Sequence, residues 1–244
     1  MPTKTDKFGT KFWYNDQDLL HRDDGPASEY ANGTKKWYQH GKCHREDGPA
    51  VELANGTKEW HQHNQLHRED GPAIEDADGD KFWYQHGNRH REDGPSIEYT
   101  NGDKYWYQHG KLHRLDGPAA EHANGNKYWY LNGHFHREDG PAIEYADGDK
   151  QWYQHGKLHR LDGPAFESSR IQQWFQNGKL HREDGPAYIS DEFIKWSING
   201  HFHREDGPAI ECSDGFQEWW FNGEKLNVSS QEEFERMIKL RCFW

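Results

Sequence analysis

Aliphatic side chains are scarce in this 244-residue chain: Leu, Ile, Val and Phe together number 35, and Val occurs twice. With a formal charge of −12, such a shortage ordinarily goes with disorder. Cysteine is nearly missing too. Cys43, Cys212 and Cys242 form no Cys-x-x-Cys pair and are odd in number, which argues against a disulfide framework or structural zinc site and predicts free thiols in a reducing compartment. No apolar run approaches the roughly 20 residues that span a bilayer, and residues 1–7 lack a signal-peptide stretch, so a cytoplasmic protein without membrane contact is expected. Basic residues are outnumbered, 30 Lys and Arg against 42 Asp and Glu, so direct nucleic-acid binding is not expected. Before residue 224 no segment long enough for a helix is free of Gly and Pro, which excludes a helical body. What opposes disorder is aromatic content. Twelve Trp, twelve Tyr and twelve Phe can supply burial that the aliphatic residues do not, at about 150 to 250 Å² a ring.

A repeat of 23 residues organises almost the whole chain. His-Arg recurs at His21, His44, His67, His90, His113, His136, His159, His181 and His203, in six steps of 23 and two of 22. Asp-Gly-Pro begins three residues after each histidine, placing Asp24, Asp47, Asp70, Asp93, Asp116, Asp139, Asp162, Asp184 and Asp206 in one column, and Ala follows the Pro in eight of nine copies. Seven residues before the histidines stand Trp37, Trp60, Trp83, Trp106, Trp129, Trp152, Trp174 and Trp196, with Trp13 one residue further away and Trp219 opening a degenerate tenth copy. A fixed period of this length is the mark of a repeat architecture.

Two turns punctuate each period. Asn-Gly or Asp-Gly, as in Asn32-Gly33 and Asp78-Gly79, predicts a type I′ hairpin with positive φ at both centres. His-Gly or Asn-Gly, as in His86-Gly87 and Asn132-Gly133, uses residues enriched in the left-handed region. Between them Lys81-Phe-Trp-Tyr-Gln85 is a β-type run with Phe82 and Tyr84 on one face and Trp83 on the other, and Pro141-Ala-Ile-Glu-Tyr145 alternates similarly. Copies then lie in register, Trp near Trp and Ile near Ile, because one copy cannot bury its aromatic face alone.

The string Tyr145-Ala-Asp-Gly-Asp-Lys-Gln-Trp-Tyr-Gln-His-Gly-Lys-Leu-His159 resembles the MORN repeat. More closely it is similar to MORN-repeat variants of bacterial antitoxin-like proteins and of uncharacterised phage and giant-virus proteins. The resemblance covers residues 10 to 226. It departs where His-Gly-x-Gly would stand and this chain has His-Arg-x-Asp-Gly-Pro-Ala, so lipid-binding and junctional roles are not carried over. It implies an elongated sheet of hairpins used as a scaffold or contact surface. The expected fold is thus all-β: about ten 23-residue hairpin repeats over residues 1–226, as a single twisted sheet or open solenoid, with a helical cap over 227–244. Ser230 followed by Glu233 reads as a capping box, and Phe234, Met237 and Ile238 share a face of the helix that follows.

The His-Arg-x-Asp column invites a proton-relay reading. Nine equivalent copies argue instead for structure, since catalysis needs one water-excluding constellation. In the structural reading Asp caps the Gly-Pro turn, Arg pairs with carboxylates of neighbouring copies, and His packs or hydrogen-bonds in a ladder. No phosphate loop, nucleophile elbow or His-Glu-x-x-His is present, so neither an enzyme nor a cofactor is expected. Equivalent histidines in successive hairpins fall about 9 to 10 Å apart, too far to share a zinc ion whose ligands stand at about 2.0 to 2.3 Å, and no metal is expected. Protonating all eighteen histidines would move the formal charge from −12 to +6, most of it between about pH 7.5 and 5.5, and predicts a solubility minimum near pH 6.

Three functions fit. The first is a protein-interaction module, for instance a phage or viral counter-defence or antitoxin-like inhibitor, with Tyr38, Tyr84, Tyr107, Tyr130 and Tyr153 and the Arg column as anchors. The same tyrosines are equally read as the second packed face of the sheet. The second is a nucleotide or small-molecule sponge, aromatic and Arg side chains clamping a planar base. The third is an inert spacer. An acidic DNA mimic is a further alternative, although one net charge per about 8 Å is some fivefold sparser than duplex DNA at one per about 1.7 Å. Irregular copies are the expected seat of specificity, and residues 165 to 198, with Arg170 and Phe193, are the candidate surface.

Overall fold

The computed structural model describes residues 3–241. They form short antiparallel β-strands in hairpin repeats and one helix, Gln231–Arg241. Two compact units divide the repeats, Met1–Ala123 and Asn124–Trp244.

The copy spanning 81–103 in the first unit shows how the sequence builds a repeat. Lys81–Phe82 pairs antiparallel with Ile74–Glu75 before it and with Ile97–Glu98 after it. Tyr84–Gln85 leaves that ladder and pairs with Asn88–Arg89. Trp83 is the corner between them: its N–H donates to the Ser96 carbonyl at 2.8 Å and its own carbonyl accepts from His90 N–H at 3.2 Å. The expected continuous run over 81–85 is therefore two strands in two ladders, broken where the bulky indole turns out of the pleat. Backbone bonds tie the short hairpins to their neighbours, Gly110 N–H to the Arg89 carbonyl at 2.9 Å and Arg91 N–H to the Tyr107 carbonyl at 3.3 Å.

The turns exchange the roles read from the sequence. The His-Gly turns have positive φ at both centres, 48° and 76° at His86-Gly87, and are the type I′ turns that a two-residue hairpin with right-handed twist demands. The Asn-Gly turns in that same position, such as Asn132-Gly133 at 53° and 85°, do likewise, whereas in the turns of the Asn101-Gly102 and Asp78-Gly79 kind only the Gly has positive φ, 98° at Gly102. There Gly102 N–H returns to the Tyr99 carbonyl and Tyr99 N–H reaches the Asp103 carbonyl, both at 3.0 Å. This is a three-residue loop closed by a bulged glycine. Asn101 accepts the Asp103 N–H on its side chain at 2.9 Å, the Asx-turn role of that residue. Asn64 stands in the second turn position of the third copy, at φ 71°.

Register sorts the side chains of the long ladder. Glu98 lies opposite Lys81 and Lys104, while Ile97 lies opposite Phe82 and Tyr105. Opposite charges thus alternate along one face. On the other, Ile meets aromatic rings rather than the expected Ile. The Trp columns also differ from expectation, each ring meeting a guanidinium in place of another Trp. The most deeply buried positions belong to the smallest side chain: Ala27, Ala50, Ala73 and Ala119 in the first unit, and Ala142, Ala165, Ala187 and Ala209 in the second, have no exposed surface.

Ser replaces that Ala once and the next residue's aliphatic group once, with different results. Ser96 is satisfied, its hydroxyl donating to the Tyr105 carbonyl at 3.2 Å and accepting from Tyr107 N–H at 2.9 Å. Ser28, 1% exposed where the following copy has Val51, leaves its hydroxyl without a partner. An unmade buried hydrogen bond costs about 1 to 3 kcal/mol. Ser28→Ala, which removes the group and adds no volume, is therefore expected to raise stability by about 1 kcal/mol, read as a higher urea midpoint at unchanged slope.

The second unit follows the same plan from Lys127–Tyr128 onward, with three-residue strands where the copies shorten: Ile171–Gln173, Tyr188–Ser190 and Phe193–Lys195 pair in succession. Its end is covered by the helix. Ser230 Oγ accepts Glu233 N–H at 3.3 Å, and the Glu233 carboxylate accepts both the N–H and the hydroxyl of Ser229, at 2.9 and 3.0 Å. Phe234, with no exposed surface, packs on Trp219 and Leu226, with Met237 and Ile238 beside it.

Candidate functional site

The recurrent His-Arg-x-Asp-Gly-Pro loop holds most of the chain's polar chemistry. Its Arg is the centre. Across the nine copies the guanidinium lies 3.8 to 4.3 Å from the centroid of the Trp eight residues before it, nine in the first copy. Taking Arg91 over Trp83, Nε donates to Asp93 at 2.8 Å and Nη1 to the Pro95 carbonyl at 3.1 Å and to Glu98 at 3.0 Å. The Arg is thus matched by one ring, two carboxylates and one carbonyl.

This corrects two expectations. Asp binds the Arg two residues before it rather than capping the Gly-Pro turn, and Arg takes both carboxylates from its own copy rather than from neighbours. The planar guanidinium offers Nε and Nη1 to separate acceptors, and the loop around it is short enough to supply both. The hydrogen bond from Arg91, then its charge, hold the Asp93 carboxyl below the usual carboxylate range. The same holds at Asp47, Asp70, Asp116, Asp139 and Asp162.

The glycine of the loop is fixed by contact rather than by backbone angle. A Cβ at Gly94 would lie 2.9 Å from the Arg91 guanidinium carbon, and 2.8 to 3.1 Å from it across the nine copies. Sequence reasoning missed this, although the signal, an invariant Gly after Asp in a loop carrying Arg, was present. It also missed, as a partner of the Arg, the Glu that stands seven residues after it in eight of the nine copies, Arg182 having Ile189 there.

The histidines form a second column. In eight copies Nδ1 accepts a backbone N–H from the type I′ turn of the next copy, at 3.0 to 3.3 Å: His44 from His63, His67 from His86, His90 from His109, His136 from His155 and His159 from Asn177 among them. An imidazole that accepts at Nδ1 carries its proton on Nε2. That nitrogen lies 3.6 Å from Glu46 at His44 and 3.8 Å from Glu69 at His67. At His44, His67, His90 and His136 the ring also lies against the imidazole of the turn, centroids 4.5 to 4.6 Å apart. His113 has a partner as well. Among the described residues no group of three or more His, Cys, Asp or Glu is placed to hold a metal ion.

The tyrosines lie in the short hairpins, half-buried. Arg89 Nε donates to the Tyr84 hydroxyl at 3.1 Å and its guanidinium lies 5.5 Å from Tyr107. Phe135 packs between Tyr130 and Tyr153, at 4.3 and 5.3 Å. Tyr38 packs on the Cys43, Ala50 and Val51 cluster, and burial raises its hydroxyl above the ordinary phenol value. Burial likewise pushes the Cys43 thiol up to about 11, which keeps it protonated and unreactive. Cys43 and Cys212 are free; Cys242 lies outside the described residues. Arg170 is exposed, and Phe193 is half-buried opposite Cys212 under the Lys195 ammonium, 4.8 Å away.

Between consecutive loops lies a shallow groove. One of about 580 Å³ is bounded by Arg68, Glu69, Asp70 and Pro72 of one copy and by Trp83, His90 and Glu92 of the next. Similar grooves lie over Trp37 in the first unit and Trp152 in the second. Their rims are carboxylates: Glu69, Asp70, Glu92 and Asp93 are 83 to 85% exposed. Leu115 and Leu161 take the rim position of the Glu and are 84 and 75% exposed.

Together these features define a class, an all-β hairpin-repeat protein whose loops are locked by Arg–Trp stacks and whose copies are joined by histidine. No protein-family model and no curated protein matches the chain. No helix among the described residues is long and apolar enough to cross a membrane.

Proposed function

We propose that the protein is a non-catalytic interaction scaffold of MORN-like type that presents a comb of carboxylates to a basic protein partner. One observation carries the reading: Arg, Trp and His of the loops are engaged within the protein and the Asp is bound by its Arg, while the rim Glu, as at Glu69 and Glu92, is the repeated group left facing out. Repetition at a strand-set spacing favours a partner that makes many weak charge contacts at once, which steers association and gives avidity without a deep pocket. A cytoplasmic setting, or host cytoplasm for a phage-encoded protein, and an antitoxin-like or counter-defence role are consistent with such a surface.

A nucleotide sponge is less well supported, because the guanidinium and indole that would clamp a base already clamp each other. DNA mimicry is weakened by the Lys rungs that stand opposite the Glu column. The test is affinity capture from cells of the organism that carries the gene, comparing wild type with a variant bearing Glu46→Gln, Glu69→Gln and Glu92→Gln. A partner retained by wild type, released by moderate salt and lost with the variant supports the comb. A partner held equally by both, or a nucleotide released on denaturation, overturns it.

A further inference from the structure

We propose that the histidine column is a set of acid-sensitive latches between consecutive repeats, so that the array is held together at neutral pH and loosens as its imidazoles take up protons. The claim goes beyond the scaffold reading and does not depend on any partner.

The argument begins at one nitrogen. Nδ1 of His44 accepts the N–H of His63 at 3.3 Å, and that of His67 accepts the N–H of His86 at 3.2 Å. Both links join residues 19 apart, in different copies. A protonated imidazole has no lone pair at either nitrogen, so uptake of a proton turns acceptor into donor and sets two N–H groups against each other. The rings at His44 and His67 are only 5% exposed, so little water is available to replace the lost bond, and an unmatched buried donor is costly. At the same joints the second imidazole lies 4.5 or 4.6 Å away. Its protonation would place like charges in contact.

Other charges face these rings. The carboxylate two residues on, Glu46 at 3.6 Å and Glu69 at 3.8 Å from Nε2, favours the cation. Being about 85% exposed, it is screened, and such pairs are weak. Around His90 the groove adds Arg68, Glu69 and Asp70 from the preceding loop and Arg91, Glu92 and Asp93 from its own; each Arg there is paired to its own Asp, so their charges largely cancel. One latch lacks the flanking carboxylate altogether: His159 accepts Asn177 N–H at 3.1 Å, and Leu161 occupies the Glu position.

The sign follows from proton counting. An imidazole in an unfolded chain takes up its proton near pH 6.5, while the latched ring binds none at Nδ1 without breaking the joint. Proton uptake at the joint is therefore coupled to its opening, and stability is expected to fall with pH. The Arg-bound carboxylates act in a separate window. Their depressed values mean that they contribute stability above the ordinary carboxylate range, near pH 4, and lose it only below that.

The two units differ in a way that supplies an internal control. Within the first, four joints put imidazole against imidazole, at His21, His44, His67 and His90. Within the second, one does, at His136, and the joints of His159, His181 and His203 end on Asn177, Asn199 and Asn222. The first unit is the more acid-sensitive of the two.

Urea unfolding of the full chain and amide hydrogen exchange at pH 7.5, 6.5 and 5.5, corrected for intrinsic exchange, test the proposal. From pH 7.5 to 5.5 the unfolding constant is expected to rise severalfold or more, because opening of the joints is coupled to proton uptake. The amides of His63 and His86 should lose protection before those of Asn177 and Asn199. In His44→Asn, His67→Asn, His90→Asn the side-chain oxygen keeps an acceptor that does not titrate, and the pH dependence should flatten. Should that variant not fold, His40→Asn, His63→Asn, His86→Asn, His109→Asn is informative, because Asn occupies the same turn position at Asn132 and Asn177 with the same φ, 52° to 53°; it removes the ring pairs and should halve the acid effect or more. Imidazole nitrogen spectra at pH 7.5 should place the proton on Nε2. A urea midpoint unchanged from pH 7.5 to 5.5, an undiminished pH slope in the first variant, or protons on Nδ1 would overturn the latch.

Discussion

Arg91→Ala is expected to destabilise the first unit by about 2 to 3 kcal/mol, from loss of a partly desolvated cation–π contact and of the donor to a half-buried carbonyl. Both partners are in place: the guanidinium is 4.1 Å from the Trp83 centroid and 3.1 Å from the Pro95 carbonyl. Arg91→Lys should recover less than half, because an ammonium cannot reach Asp93 and Pro95 as a fork while lying flat on the indole. Gly94→Ala should cost less than the loss of the Arg, since its Cβ would stand 2.9 Å from the guanidinium carbon and the end of that side chain must shift on the indole. The telling result is the double variant. With Arg91 already Ala, the three atoms nearest the new methyl are gone, and Gly94→Ala should be neutral or gain a few tenths of a kcal/mol from the stiffer unfolded chain. The coupling from a double-mutant cycle in urea should therefore be about as large as the Gly94→Ala cost itself. Additive costs would mean that the glycine serves the backbone and not the arginine.

That coupling also marks where the sequence was readable. The period, the all-β class, the helix after residue 229 and the buried role of Phe234 followed from spacing and punctuation, because turn residues and hydrophobic periodicity act locally. Trp83 at a corner did not follow, since an aromatic inside an alternating run reads as strand whether or not the ladder continues through it. The turn types were exchanged for a related reason. Asn101 satisfies the Asp103 N–H with its own side chain, and composition alone does not show whether an Asn-Gly pair uses that bond or takes positive φ at both centres. The Arg pairing was half legible. A column of Arg and a column of Asp announce ion pairs, but the spacing does not show that Arg91 takes Asp93 and Glu98 from its own copy. The histidine links were hidden, because their partner is a backbone N–H 19 residues away, which has no side-chain signature. Over residues 165 to 198 the strand pairing continues, with Arg170 exposed at a tight turn.

Phe234→Ala is expected to cost the second unit about 3 to 5 kcal/mol, the range for deleting a fully buried aromatic ring. The ring has no exposed surface and bridges the helix to Trp219 and Leu226, themselves 8% and 4% exposed. In a repeat array each copy rests only on its neighbours, so the loss should stay local. Hydrogen exchange should show the amides of Trp219 and Leu226 exposed first, with the first unit unchanged in protection and in urea midpoint. The same logic makes the helix a shield as well as a strut. Its apolar face covers the last pair of strands, Gln217–Phe221 and Glu224–Leu226, whose aromatic content is the kind that seeks another surface once bared. Truncation after residue 228 should therefore produce concentration-dependent association by light scattering, where Phe234→Ala, which keeps the helix's charged residues, should mostly fray. If the truncated chain stayed monomeric with Trp219 and Leu226 still protected, the repeats would be closing their own end and the helix would be free to serve another purpose.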